Sequence, residues 1–221
     1  MANFINHLPE RIICLTTETV EVLYLLGEQD RIVGISGYTT RPAEARKEKP
    51  KVAAFTSAKI DKILELKPDL VLGFSNLQAD IASALIKAGI EVHVFNQRSI
   101  EEILRMILTV GRLVGAQTKA EALISAYQQQ INDALKAASR LPCRPTVYFE
   151  EWDEPMMCSI RWAAELIKIA GGEDCFPELT QFQSAGERVV TPVQVLLRQP
   201  DIIIGSWCGK KFQPTQITTR E

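Results

Sequence analysis

Histidine, paired cysteine and long apolar runs are all scarce in this chain, and each scarcity excludes a class of protein. Two histidines among 221 residues, His7 ahead of the first apolar run and His93 inside another, cannot build the histidine-rich site that zinc or manganese requires. The five cysteines, Cys14, Cys143, Cys158, Cys175 and Cys208, are odd in number, widely spaced and free of any C-x-x-C pair. They make neither a disulfide framework nor a zinc knuckle, and Cys14, inside IICL, reads as core. No uninterrupted apolar run reaches the roughly 18 residues of a membrane span. Positive charge is not in excess, with 25 Lys and Arg against 27 Asp and Glu, so there is no nucleic-acid footprint. The one basic stretch, Arg41 to Lys51, is broken by Glu44, Glu48 and two prolines and reads as a solvated loop. G-x-G-x-x-G, P-loop, G-x-S-x-G and H-E-x-x-H motifs are missing, which leaves an enzyme reading without a nucleophile, base or phosphate cradle. The start, MANFINHLPERIICL, has no basic n-region, apolar h-region or small-residue cleavage site. Either the chain begins at a mature, extracytoplasmic end or it stays in the cytoplasm.

What is present is alternation. RIICL (11–15), IVGIS (32–36), VAAF (52–55), DLVLGF (69–74) and EVHVF (91–95) read as strands, with helical patterns between them: ETVEVLYLLG, KIDKILELK and a helix from Asn76 to Gly89. Strands alternating with helices predict a parallel α/β sheet. A long helical region follows, and its second stretch, Thr118 to Arg140, carries Ala122, Leu123, Tyr127, Ile131 and Leu135 on one stripe. Such a helix spans roughly 33 Å at 1.5 Å per residue. Pro142 and Pro145 end it. TVYFE (146–150) is then a strand, EEWDEPM an acidic loop, SIRWAAELIKIAGG a helix, and TPVQVLLRQPDIIIGSW a helix, a Pro-Asp break and a strand.

Two segments repeat. ILELKPDLVLGF from Ile63 and VLLRQPDIIIGS from Val195 share one pattern, in which proline stops a helix, aspartate makes the turn and an apolar run forms a buried strand. Two copies flanking a long helix predict two similar Rossmann-like lobes: an N-terminal lobe over 1–98, a helical spine over 99–141 and a C-terminal lobe over 142–221. The repeat also exposes a gap. After DLVLGF the first lobe adds a helix and the strand EVHVF, whereas only CGKKFQPTQITTRE follows DIIIGSW. The second lobe is therefore expected to be incomplete, with DIIIG as an open sheet edge. A homodimer, a swapped element or a longer natural chain would cover that edge.

LTTETVEVLYLLGEQDRIVGISGYTTRP, KIDKILELKPDLVLGF, and WAAELIKIAGGEDCF followed by VVTPVQVLLRQPDIIIG resemble the helical-spine substrate-binding proteins of ABC importers. The resemblance is to the vitamin B12-binding members and, after them, to the iron-siderophore binders. The resemblance runs from Arg11 to Gly205. It implies two α/β lobes joined by one long helix, a ligand between them, and docking to importer membrane subunits through one carboxylate per lobe. Asp61 holds the matching position on the first lobe, but on the second it falls at Val193, which carries no charge. Typical members are exported and continue for a further helix-strand-helix.

Ligands of such folds meet loops at the C-terminal ends of strands. That rule selects Thr17 after the first strand, Tyr38 after the second, and Phe55 and Phe74 after the third and fourth. In the second lobe it selects Glu151 and Trp152 in the acidic stretch, Arg188 before the repeat, and Trp207 after the last strand. For each, a capping, core or surface role is the competing reading. Four carboxylates beside Trp152 repel one another unless something positive offsets them. The expected function is capture of a corrinoid or related metal chelate, with no intrinsic cofactor, no resident metal and no catalysis. The alternatives are an iron-siderophore binder, a cytoplasmic cofactor-handling protein or enzyme on the same fold, and a degenerate relative that no longer binds.

Overall fold

The computed structural model describes residues 8–220. The chain forms two compact units. The first holds residues up to 97 together with 102–125, and the second holds 98–101 together with 126 onward.

The first unit is a five-stranded, fully parallel sheet of β1 (Ile12–Cys14), β2 (Ile32–Ser36), β3 (Lys51–Ala53), β4 (Leu70–Phe74) and β5 (Val92–Phe95), in the order β3-β2-β1-β4-β5. β1 and β4 are unbroken apolar runs, and from Ile12 to Cys14 and Leu70 to Leu72 every side chain is buried. Central parallel strands have this composition because helices cover both faces. The helices are α1 (Thr17–Leu25), α2 (Ala43–Glu48), α3 (Ile60–Glu65), α4 (Ala79–Lys87) and most of α5 (Ile100–Leu113). Ile13, Leu15, Val52, Ile63, Val71, Ile81 and Leu85 form the core. The basic stretch expected to be a loop contains α2. Pro42 and Pro50 flank that helix instead of interrupting it, and Ala45 anchors it, fully buried.

α6 (Gln117–Ala138) runs through both units, its residues to Ser125 belonging to the first. It lies close to α5 where Gly111 faces Ala120, and a Cβ added at Gly111 would sit 2.5 Å from that of Ala120. Lys119 donates to the Leu26 carbonyl at 2.8 Å, satisfying an orphan acceptor at the end of α1.

The second unit is built on β6 (Thr146–Asp153). β8 (Glu173–Asp174) and β9 (Ile202–Gly205) pair with it in parallel and β7 (Met156–Cys158) antiparallel. α7 (Arg161–Ile169), α8 (Pro192–Arg198) and α9 (Pro214–Thr218) complete it. Its core is Tyr148, Met156, Cys158, Cys175, Phe176, Val190 and Val195. Here the sequence reading needs correction. The acidic stretch is not a loop: β6 continues to Asp153 and turns through Glu154 and Pro155 into β7, with Trp152 opposite Met157 and Asp153 opposite Met156. Carboxylates are depleted in strands, so composition alone misassigns them.

The repeated Pro-Asp units fold alike. Lys67 and Gln199 turn left-handed, with φ of 46° and 49°, ending α3 and α8. Asp69 donates its backbone N–H to the Arg11 carbonyl at 3.0 Å, and its carboxylate accepts from the N–H groups of Glu10 (2.7 Å) and Arg11 (3.0 Å). Asp201 does the same to Thr146, donating at 2.8 Å and accepting at 2.7 Å. Each aspartate thus clamps the start of the neighbouring parallel strand, β1 for β4 and β6 for β9. The expected open edge is present as well. β9 pairs with β6 and, among the described residues, with no other strand.

Removing either clamp hands exposed backbone donors at a strand start over to water, a net cost of about 0.5–1.5 kcal/mol. Asp201→Ala and Asp69→Ala are each expected to lower the unfolding free energy by that amount, which moves the denaturant midpoint down by the same value divided by the m-value. Two variants with unchanged midpoints would show that the clamps are incidental.

Candidate ligand-binding surfaces

In the first unit the C-terminal strand ends carry the aromatic residues that the sequence singled out. Tyr38, in the turn after β2, is 55% exposed, and Phe55, just past β3, is 38% exposed. Phe74, the last residue of β4, is half-buried, with its ring 6.4 Å from that of Phe55. Thr17 opens α1 half-buried, its hydroxyl directed to Glu18. Thr16 takes the N-cap position without a side-chain cap bond.

The residue organising this end was not legible in the sequence. Gln78, 1% exposed, donates to the Phe55 carbonyl at 2.9 Å and accepts from the Phe74 N–H at 2.9 Å. It therefore ties the two aromatic positions together. Gly73 makes room for it, since a Cβ there would lie 2.9 Å from its amide oxygen. Directly after Phe74, Ser75 adopts φ 61°, ψ 172°, a conformation that costs a residue with a side chain about 1–3 kcal/mol. Asp61 stands exposed in the first turn of α3, and Val193, 65% exposed, holds the corresponding position on α8.

In the second unit each carboxylate of the acidic stretch from Glu150 to Asp153 has a cationic partner distant in sequence. Glu150, fully buried, accepts from Trp207 Nε1 (2.8 Å), Tyr148 Oη (3.1 Å) and both terminal nitrogens of Arg220. Burial and the Glu150 charge push the Tyr148 phenol up, and Glu150 raises Arg220. Glu151 accepts from Arg188, which also donates to the Cys158 carbonyl at 2.7 Å. Arg188 is 1% exposed, so the structure places it as a brace for Glu151 and not as an open cation. Asp153 pairs with Lys210. Burial opposes its ionisation, but the Lys210 hydrogen bond and charge prevail and hold its carboxyl below the ordinary range.

Lys210 also lies 4.5 Å from the Trp152 ring centroid and 5.0 Å from that of Trp207, cation–π distances. Trp207 is 6% exposed and meets Phe212 edge-on at 5.0 Å. Trp152 is half-buried, and its indole N–H donates to the Glu154 carbonyl at 2.7 Å. The result is a charge-compensated aromatic platform at the end of β6 and β9. Lys210, Arg220 and Tyr148 belong to it and were missed by the sequence reading. Cys208, beside it, has its thiol pushed up by burial and by Glu151, which disfavours the nucleophilic thiolate. Among the described residues, no group of three or more His, Cys, Asp or Glu is placed to hold a metal ion.

Arg220→Ala strands the buried Glu150 charge, and the expected loss is about 2–4 kcal/mol in denaturant unfolding. Adding Glu150→Gln to that variant should recover part of it. Equal stability of all three proteins would contradict the pairing.

The chain matches the family model described as periplasmic binding protein over residues 12–221. It is 28% identical to the vitamin B12-binding protein of Pectobacterium atrosepticum, over 95% of this chain and 76% of that protein. Among solved structures, a possible iron-binding, periplasmic solute-binding protein from Staphylococcus epidermidis superposes with a TM-score of 0.79 at 20% identity, covering 97% of this chain and 84% of that one. A periplasmic heme-binding protein from Pseudomonas aeruginosa superposes with a TM-score of 0.80 at 19% identity, covering 95% and 76%. The structural likenesses share the two-unit α/β fold, and the match of the family model extends over nearly all of the chain. By the match of that model to nearly its whole length, this chain belongs to the periplasmic binding protein family.

Proposed function

We propose that the protein captures a corrinoid, or another large flat metal chelate, on the strand ends of its two units and delivers it to an ABC-type importer outside the cytoplasmic membrane. The observation that carries the reading is the set of aromatic side chains at those ends: Tyr38, Phe55 and Phe74 on one unit and the half-buried Trp152 on the other, braced by Lys210, which also lies over the buried Trp207. Aromatic faces supply large apolar area, which suits the flat face of a macrocycle. The vitamin B12-binding relative supports the corrinoid, and the iron- and heme-binding structures support the wider chelate class. Asp61 supplies a docking carboxylate on the first unit, while Val193 gives none on the second, so importer engagement leans on one side.

One observation favours a second reading. The Tyr38 phenol is exposed at a strand end, and a tyrosine oxygen can ligate ferric haem. Titration separates the two. Cobalamin is expected to quench tryptophan fluorescence saturably. Trp152→Ala and Phe74→Ala should each weaken it at least tenfold, about 1.4 kcal/mol, while Trp162→Phe, on α7, changes little. Tyr38→Phe should leave cobalamin binding within a few-fold. Haem binding abolished by Tyr38→Phe, with no response to cobalamin, would replace the corrinoid reading by the haem one.

A further inference from the structure

The basic stretch around β3 has no part in the ligand-binding reading, and the fold gathers it on one side of the first unit. Of the chain's 25 Lys and Arg and 27 Asp and Glu, eight and four lie between Arg41 and Lys67. This stretch is therefore net positive while the remainder of the chain is net negative. It contains α2, β3 and α3, and β3 is the last strand on its side of the sheet. Lys47 lies in the last turn of α2, and Lys49 and Lys51 lead the chain into β3. Beyond β3 the chain turns back. The Ala54 N–H donates to the Ser57 carbonyl at 2.7 Å, and the Lys59 N–H donates to the Val52 carbonyl at 2.8 Å. Lys59 thereby returns alongside β3, and Lys62 follows, exposed, on α3.

The two arginines of the stretch are engaged. Arg41 pairs with Glu21 at 3.3 Å, and Arg46 donates to the carbonyls of Gly37 and Thr39 at 2.6 and 3.2 Å. The lysines are not. Lys47, Lys51, Lys59 and Lys62 are exposed, Lys49 is half-buried, and none of the five forms an ion pair among the described residues. Lysine on an edge strand deters strand pairing, which accounts for Lys51 but not for Lys47 and Lys62 on helices. A surface that reads one carboxylate at fixed geometry would use arginine forks, whereas lysines are hydrated point charges on flexible stems. Such charges suit a fluid array of anions. We propose that this lysine-rich side of the first unit is an electrostatic docking surface for a bilayer carrying anionic phospholipid headgroups. Each lysine held near such a surface raises partitioning about fivefold, and the attraction fades beyond about 10 Å at 0.1 M salt. The inference rests on the proposed function only for placing the protein beside a membrane, and not on the ligand assignment.

Cosedimentation of the 221-residue chain with vesicles tests it. Phosphatidylglycerol mixed into phosphatidylcholine should bind the protein at low salt and release it as salt rises, and pure phosphatidylcholine should not bind it. Lys47→Glu combined with Lys62→Glu should lower partitioning by about tenfold or more, with circular dichroism and the cobalamin titration unchanged. Lys87→Glu combined with Lys168→Glu, on α4 and α7, changes the net charge equally and should leave partitioning within about twofold, since those lysines lie off the patch. If the first pair does not fold, Lys49→Gln with Lys51→Gln replaces it and should also lower partitioning. No binding to the anionic vesicles at low salt, or an equal loss in both charge-reversed pairs, overturns the proposal. Binding to polyglutamate without binding to vesicles overturns it as well and assigns the surface to an acidic protein. Vesicle binding lost while cobalamin still binds counts against this surface alone.

Discussion

The aspartate clamp at the start of each central strand pair is the constraint on which the rest of this structure depends. Proline ends the helix, one left-handed residue turns the chain, and the aspartate that follows takes the neighbouring strand's first amide hydrogen bonds. A one-residue slip would turn every side chain to the opposite face of its sheet. With the register fixed at the start of β4 and β9, their far ends carry Phe74 and, just beyond Gly205, Trp207. The clamp sits at one end of the sheet and the candidate ligand surface at the other.

The second unit adds a problem that the clamp does not solve. Consecutive carboxylates on one strand, Glu150 to Asp153 with Trp152 among them, are destabilising unless neutralised. The chain neutralises them from three distant places: Arg188 before α8, and Lys210 and Arg220 in the segment beyond β9. The same segment brings Phe212 onto Trp207. The C-terminal residues therefore complete the platform in two senses, by charge and by ring contact. The surface they build is aromatic and paired in charge.

Much of the fold was legible because its signals are local. Apolar runs bounded by glycine and proline mark β1, β2, β4, β5 and β9, and the Pro-Asp repeat revealed both the duplication and the bare edge of β9. α2 was hidden because prolines were read as breakers when they stand at its boundaries. The extension of β6 was hidden because acidic residues imitate a loop. The aromatic strand-end positions could be chosen from the rule that ligands meet such ends. The partners that give them geometry could not. Gln78 joins Phe55 to Phe74 across 23 and 4 residues, and Arg220 reaches Glu150 across 70. Contacts at such separations leave no periodic trace in one sequence. Arg188, chosen as a ligand contact, is a buried brace for the same reason: its partner Glu151 lies 37 residues away.

Hydrogen exchange of the protein with and without saturating cobalamin tests most directly the claim that both units bind through their strand ends. The account predicts new protection at residues 16–18, 37–39, 54–56 and 74–78 in the first unit and at 151–153 and 206–210 in the second. The strand starts clamped by Asp69 and Asp201 should stay unchanged. Protection confined to one unit, or centred on the helices away from these ends, would contradict it.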